Sequence, residues 1–320
     1  MNPAMRRAAL IYNPASGQYS ARRAAAIQDA LDVLRSAGIE TQEYETDRAG
    51  SGMARAREAI GDGCDAVIAC GGDGTVHEIV QTLVGTQVAL GVIPLGTANA
   101  LAANLGLIGP PARTTRKLLD ATPVRIPVGR IHFHDSDGNP DSRYFVVAAG
   151  VGADALLMAR MDAELKRRLG YVLYLMEAFR IWATDPFPLF QAAFTKNGHD
   201  AAIPAEVSQL LAVRVRSFGG VLRELAPGAT LSNGNLQLLA FKTRNRLRYL
   251  SFLLAVLAGR HTFVRDIELW NATSVECQPR NGSSASIFVE ADGEVLGRLP
   301  VRLDVVPDAL TLLVPPGVEP

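Results

Sequence analysis

Cysteine is scarce in this chain: Cys64, Cys70 and Cys277 are odd in number and lack the CxxC or Cys/His spacing of a metal site. That argues against a disulfide framework and a structural zinc, and for reduced thiols in a cytosolic compartment. Net charge is missing too. Lys and Arg number 32, as do Asp and Glu, so no global field draws in nucleic acid or an anionic membrane, and any anion site has to be local. Long apolar runs are absent. The longest, Tyr249 to Gly259 between Arg248 and Arg260, is about half of the ~20 residues that a bilayer-spanning helix needs. Arg6 and Arg7 precede a short apolar run, but Asn13 and Pro14 end it before signal-peptide length. Neither secretion nor a membrane span is expected. What remains, with 48% hydrophobic and 20% charged residues in 320, is a globular chain of about two domains.

From Met1 to about Thr122 short β-branched runs alternate with helical periods. Strands are expected at Ala8–Tyr12, Ile39–Tyr44, Ala66–Cys70 and Val88–Ile93, with helices at Ser20–Ala37, closed by Gly38, and near Met53–Ile60 and Thr75–Leu83. Such βα alternation predicts a parallel sheet covered by helices on both faces. After Pro123 the pattern becomes strands punctuated by Asp-Gly and Asn-Gly, at Asp137, Asn197, Asn233, Asn281 and Asp292. A mainly antiparallel domain follows, with strands at Arg143–Ala149 and Val301–Val305 among others and helices near Ala155–Ala183 and Arg246–Ala258.

Ligands of parallel sheets sit at the carboxyl ends of the strands. Three loops converge there: Asn13-Pro14-Ala15-Ser16-Gly17, Gly71-Gly72-Asp73-Gly74-Thr75 and Pro94-Leu95-Gly96-Thr97-Ala98-Asn99. Glycine lets backbone approach a ligand closely, and the helix that follows, near Thr75–Leu83, offers N–H groups and a positive dipole end to a phosphate. Asp73 is the telling residue, because a carboxylate beside phosphates is repelled unless it serves a cation, a nucleotide hydroxyl or a substrate proton. Taken singly, the first and third loops also read as ordinary turns before capped helices.

The Gly-Lys-Ser/Thr phosphate loop and the protein-kinase signatures are absent. Gly150-Val151-Gly152-Ala153-Asp154-Ala155 fits a dinucleotide fingerprint but lies mid-chain among strands with no βα unit to follow. Asp135-Ser136-Asp137-Gly138-Asn139 lacks the closing Glu of a calcium loop and reads as a solvated hairpin.

With NPASG, GGDGTVHE and PLGTANALAANLG in this order, the chain resembles the diacylglycerol kinase family, which includes sphingosine kinases and is related in fold to NAD kinases. Gly152–Ala155, Leu165–Tyr174, Ala258–His261 and Glu290-Ala291-Asp292-Gly293-Glu294 are similar to further family segments. The resemblance implies an α/β domain like that of NAD kinase, residues 1–123 with a return strand at about 306–320. It also implies a β-sandwich lipid domain over residues 124–305, and a cleft for ATP and Mg²⁺. By the same carry-over, Asn13, Pro14, Ala15, Ser16, Gly17, Thr46, Gly71, Gly72, Asp73, Gly74, Thr75, Val76, His77, Glu78, Gly96, Thr97 and Asn99 would contact ATP. Asp292 or Glu294 would take the proton from the acceptor hydroxyl; sequence does not choose between them.

Asn99-Ala100 stands where diacylglycerol kinases often have Asn-Asp, and Asn233-Gly234 where they have Asp-Gly at a structural Mg²⁺ site, so a metal at Asn233 would be weak or missing. The expected function is an ATP-dependent lipid kinase, cytoplasmic and peripheral at the membrane, with no nucleic-acid partner and room for a homodimer. The alternatives are a kinase of a soluble hydroxyl substrate in the manner of NAD kinase and a non-catalytic lipid or nucleotide sensor. Leu250, Leu253, Leu254 and Leu257, bracketed by Arg244, Arg246, Arg248 and Arg260, form a helical stripe readable as core or as a membrane-docking face.

Overall fold

The computed structural model describes residues 5–14, 20–47, 50–161, 171–196, 201–218, 225–257, 264–282 and 285–320. They fall into two compact units, Met1–Val128 with Pro307–Pro320, and Gly129–Val306.

In the first unit β1 (Arg7–Tyr12), α1 (Ser20–Ser36), β2 (Glu40–Glu45), α2 (Ser51–Gly61), β3 (Ala66–Gly71), α3 (Asp73–Leu83) and β4 (Ala89–Pro94) alternate as the sequence pattern predicts. Two short helices not among the expected elements, α4 (Ala100–Asn104) and α5 (Pro111–Leu119), follow. The strands lie in the order β2-β1-β3-β4, each pair parallel. The end of the last strand of the chain joins beside β4, also parallel, with Thr311 opposite Ala89. All six residues of β3 are buried, as a parallel strand covered on both faces requires. Leu10, Ile11, Leu34, Ile68, Ile79, Leu83 and Leu90 are sealed from solvent around it, each worth roughly 1.5–3 kcal/mol of burial.

The chain leaves this unit along β5 (Thr122–His134). In the second unit it forms β6 (Pro140–Phe145), β7 (Ala148–Val151), α6 (Ala153–Arg160), α7 (Tyr171–Thr184), β8 (Phe190–Thr195), β9 (Ile203–Val207), β10 (Gln209–Val213) and β11 (Leu236–Phe241). Then come α8 (Arg246–Leu257), β12 (Ile267–Ala272), β13 (Ser274–Pro279), β14 (Phe288–Ala291), β15 (Glu294–Arg298) and β16 (Val301–Val314). One antiparallel layer runs β12-β11-β10-β7-β14-β15. In the other, β13 pairs with β8 and with the start of β16, β8 with β9, and β5 with β6. Phe145, Phe190, Val207, Leu210, Val289 and Leu303 close the core between the layers. The result is an antiparallel β-sandwich.

Three expectations change. The single helix expected over Ala155–Ala183 ends at Arg160, and a second begins at Tyr171, with residues 162–170 outside the described set. The strand expected over Arg143–Ala149 divides into β6 and β7, because the N–H groups of Val146 and Val147 turn to the Asp292 carboxylate instead of a neighbouring strand. The strand expected at Val301–Val305 and the return strand expected at about 306–320 are one, with Pro307 inside it between the residues that pair with β13 and those that pair with β4. A proline is tolerated where no ladder N–H is needed.

Candidate active site

Because β1, β3 and β4 are adjacent and parallel, the segments leaving them emerge at one edge. Thr46, after β2, joins them, its N–H donating to the Tyr12 carbonyl at 2.8 Å. Of the first loop, Asn13 and Pro14 are at this edge, while Ala15, Ser16 and Gly17 lie outside the described residues.

The second and third loops are knitted together. The Leu95 N–H donates to the Gly71 carbonyl at 2.8 Å, extending the β3–β4 ladder. A Cβ added at Gly96 would come within 2.5 Å of the Gly72 Cα, so two bare backbones touch. Asn99 is left-handed (φ 51°) and grips Gly96: its Oδ1 accepts the Gly96 N–H at 2.9 Å and its Nδ2 donates to the Gly96 carbonyl at 2.8 Å. The Asp73 carboxylate accepts the N–H groups of Asn99 at 2.9 Å and Ala100 at 2.8 Å. Thus Asp73, in the first turn of α3, caps α4. Gly72, the N-cap of α3, supplies no side-chain cap, which suits the start of that helix to an anion. Thr75 packs on Gly71, where a Cβ would meet its Oγ1 at 2.5 Å.

Other expected contacts are placed differently. Glu78 reaches back to α2, accepting the N–H groups of Gly50 and Gly52 at 2.7 Å each. Val76 and His77 are buried, and Gly74 and Thr97 are half-buried and exposed. Arg23, to which the sequence gave no pointer, reaches from α1 to the Leu95 carbonyl at 2.9 Å and the Asn13 carbonyl at 3.3 Å. Its partners lie 72 and 10 residues away, and burial holds its pKa below the usual arginine value.

In the second unit, Asp292 (φ 49°) and Gly293 (φ 88°) turn the β14–β15 hairpin with left-handed backbone, as a tight two-residue loop requires. The Asp292 carboxylate accepts N–H groups from Val146 at 3.0 Å, Val147 at 2.8 Å and Ala148 at 3.0 Å. Glu294, first residue of β15, is exposed. The two carboxyls that sequence leaves equivalent are therefore distinct: one is enclosed by amides and the other faces solvent. Beside them half-buried Asp154, whose Oδ1 is sealed from solvent, and buried Glu290 crowd over Gly150, where a Cβ would lie 1.8 Å from Asp154 Oδ2 and 2.8 Å from Glu290 Oε1. Burial raises the Asp154 pKa to about 7. Burial and the Asp154 charge raise that of Glu290 well above the carboxylate range.

Asn233 lies in the turn before β11. Its Oδ1 accepts the Asn235 N–H at 3.0 Å, and its backbone carbonyl accepts from the guanidinium of Arg214 at 3.0 Å. Among the described residues no group of three or more His, Cys, Asp or Glu is placed to hold a metal ion.

Of the leucine stripe on α8, Leu250 is half-buried, Leu253 and Leu254 are exposed, and the Leu257 side chain lies outside the described residues. Tyr249, Phe252 and Val256 pack inward, and Leu247 is exposed. The adjoining α7 exposes Leu175, Met176 and Phe179, and the Trp182 indole N–H donates to the Arg246 carbonyl at 2.8 Å. The arginines beside the stripe are engaged: Arg244 with the Phe187 carbonyl at 3.2 Å, Arg246 with that of Asp185 at 3.1 Å, and Arg248 with the Asp266 carboxylate at 3.7 Å. Among the described residues no helix is long and apolar enough to cross a membrane. The segment Ala258–His261, which includes Arg260, lies outside those residues.

Comparison with known proteins accords with this architecture. Residues 7–131 match the diacylglycerol kinase catalytic domain, and residues 145–314 match the YegS C-terminal NAD kinase β-sandwich-like domain. The diacylglycerol kinase of Bacillus subtilis is 29% identical over 92% of this chain and 92% of its own. A Chromohalobacter salexigens protein named "Probable lipid kinase YegS-like" is 31% identical over 91% of this chain and 89% of its own. The crystal structure of a diacylglycerol kinase from Bacillus anthracis superposes with a TM-score of 0.74 at 20% identity, covering 98% of each chain. With a relative above 30% identity along nearly its whole length, and with both domains in sequence, the chain belongs to the family of diacylglycerol kinases and YegS-like lipid kinases.

Proposed function

We propose that this chain transfers the terminal phosphoryl group of ATP, carried as its Mg²⁺ complex, to the hydroxyl of a diacylglycerol-like membrane lipid. The observation that carries the reading is the contact of Gly72 with Gly96, held by Asp73 and Asn99 at the uncapped start of α3. Side-chain-free backbone lets the two loops meet at the strand ends, and the N–H groups at the start of α3 open onto that edge, where a polyphosphate would bind. Arg23 ties the first and third loops by their carbonyls and adds a positive charge at the same edge. Mg²⁺ enters with the nucleotide and offsets charge on the phosphate oxygens.

Glu294 is the better proton acceptor. A base needs an open lone pair within reach of the hydroxyl, and three amides already occupy the Asp292 carboxylate. As the lipid oxygen bonds to the terminal phosphorus, the bond from phosphorus to the bridging oxygen breaks, ADP departs, and the hydroxyl proton passes to Glu294. Asp292 fixes the hairpin that presents it.

The acceptor reaches the protein from a membrane. Leu175, Met176, Phe179, Leu247, Leu253 and Leu254 give α7 and α8 exposed apolar residues, with Phe179 66% and Leu247 69% exposed. Exposed clusters of large apolar side chains mark interaction sites. Two features that favour a non-catalytic sensor lose weight: Ala100 serves Asp73 through a backbone N–H, which any residue but proline supplies, and the Asn233 carbonyl is already taken up by a cation. The test is incubation with γ-labelled ATP and a panel of extracted lipids, followed by thin-layer separation. A labelled product in the organic phase is expected; label confined to the aqueous phase or to ATP would refute the reading.

A further inference from the structure

The carbonyls of Leu231, Asn233 and Asn235 converge on one point in the second unit. The guanidinium of Arg214 fills it: Nη2 donates to Leu231 at 2.9 Å and to Asn233 at 3.0 Å, and Nη1 to Asn235 at 3.4 Å. Arg214 is 1% exposed and stands first among the fully buried side chains by volume. Alternate backbone carbonyls of one tight turn, gathered about a positive charge, are the donor set of a hard cation such as Mg²⁺ or Ca²⁺. Here the turn is shaped by the Asn233 side chain itself, whose Oδ1 accepts the Asn235 N–H at 3.0 Å and so points back into the loop. A divalent ion would have to share the three oxygens with a buried guanidinium, and two cations so close in one dry site repel strongly. The residues present do not fit a structural Mg²⁺ at Asn233.

We infer that the Arg214 guanidinium is this protein's built-in cation at the 231–235 turn, taking the place of a divalent metal. The backbone of the same residue borders the hairpin that carries Asp292 and Glu294. The Arg214 N–H donates to the Val147 carbonyl at 2.9 Å, and the Val147 N–H donates to Asp292 Oδ1 at 2.8 Å. Burial lowers the Arg214 pKa to about 10, and the negative charge of Asp292 works against that fall. A guanidinium suits the role because its donors are fixed in a plane and it stays charged at any physiological pH. The choice also explains why an uncharged Asn at position 233 suffices: the charge balance that an Asp would give a dication is not needed by a monovalent side chain already facing Asp292. This inference concerns the second unit alone and does not depend on which lipid, if any, is phosphorylated.

The test uses the nucleotide-free full chain. Wild type is dialysed against EDTA or against millimolar Mg²⁺, its metal content is measured by elemental mass spectrometry, and its melting temperature is read in each buffer. Less than a tenth of an equivalent of divalent metal and equal melting temperatures are expected. One tightly held equivalent whose removal lowers the melting temperature overturns the inference. Arg214→Ala and Arg214→Lys are then compared. The Ala variant opens the carbonyl trio, so it should melt lower than wild type and recover part of the loss in millimolar Mg²⁺ or Ca²⁺, whereas Lys should melt higher than Ala without added metal. An Ala variant that folds but gains nothing from either ion shows that the turn is no cation site and also overturns it. If the Ala variant does not fold, the wild-type metal content and EDTA response decide.

Discussion

Asp73 and Ala100 belong to different helices, 27 residues apart, and a 2.8 Å hydrogen bond from the Ala100 N–H to the Asp73 carboxylate joins them. The same carboxylate holds the Asn99 N–H, so it acts first as a clasp between two glycine loops. Asp73→Ala should cost about 1–2 kcal/mol of stability, the range of a lost helix cap, and weaken ATP binding several-fold by releasing the loop from Pro94 to Asn99. Asp73→Asn keeps one acceptor oxygen and should fall between. Urea unfolding and ATP titration check both; unchanged ATP affinity in a folded Asp73→Ala protein would remove Asp73 from the site.

The two carboxyls of the hairpin should part in their effects. Glu294→Gln leaves an exposed position nearly isosteric, so stability should stay within about 0.5 kcal/mol while turnover falls by roughly 10²–10⁴. Asp292→Asn keeps one acceptor but loses another, and its melting temperature should fall together with turnover. Steady-state kinetics and melting curves on both variants suffice. Full turnover in Glu294→Gln would return the proton acceptor to another group.

How far the sequence shows these features depends on the range of the interactions. The glycine loops are legible because each lies between a β-branched run and a helical period, and strand adjacency in a βα series brings their ends together. Arg23, Arg214 and the Asp154–Glu290 pair are not: each gets its character from partners many residues away, as Arg23 does from Leu95. Asp73 is legible as important, but its partners are not, since a backbone N–H carries no residue identity. Glu78 illustrates the opposite limit. Its place in the motif suggests a nucleotide contact, while its carboxylate caps α2.

Asp154 gives a pH dependence with a definite sign. Its folded pKa of about 7 lies above the unfolded value, which is about 3.9, so the folded state binds the extra proton. Its contribution to stability is fully present below about pH 4 and is lost as the pH rises through about 7. Glu290, raised in the same direction, adds to the slope. Melting temperature should therefore decline between about pH 4 and pH 7, the window set by that linkage, more steeply in wild type than in Asp154→Asn. Parallel profiles for the two proteins would contradict a raised Asp154.

Apolar contact, more than arginine charge, should govern membrane docking. Met176→Ser, Phe179→Ser and Leu254→Ser combined should reduce sedimentation with anionic vesicles at least tenfold, with nucleotide binding intact. Replacing Arg244, Arg246 and Arg248 by Glu should instead lower the melting temperature, because Arg244 and Arg246 hold the segment that follows α7 and Arg248 pairs with Asp266. Undiminished sedimentation and lipid turnover in the triple Ser protein would rule out this face.

Strand β16 has a consequence for the order in which the molecule is built. Its final residues pair with β4 and complete the sheet of the first unit, although some two hundred residues of chain lie between them. A ribosome releases β4 long before β16 is synthesised. Until synthesis ends, the emerging first unit carries an open β4 edge, the kind of edge that recruits stray strands. A gene fragment stopped after the first family domain, at residue 131, reproduces that half-made state permanently and should be aggregation-prone. Adding residues 301–320 in trans should bring part of it back into solution.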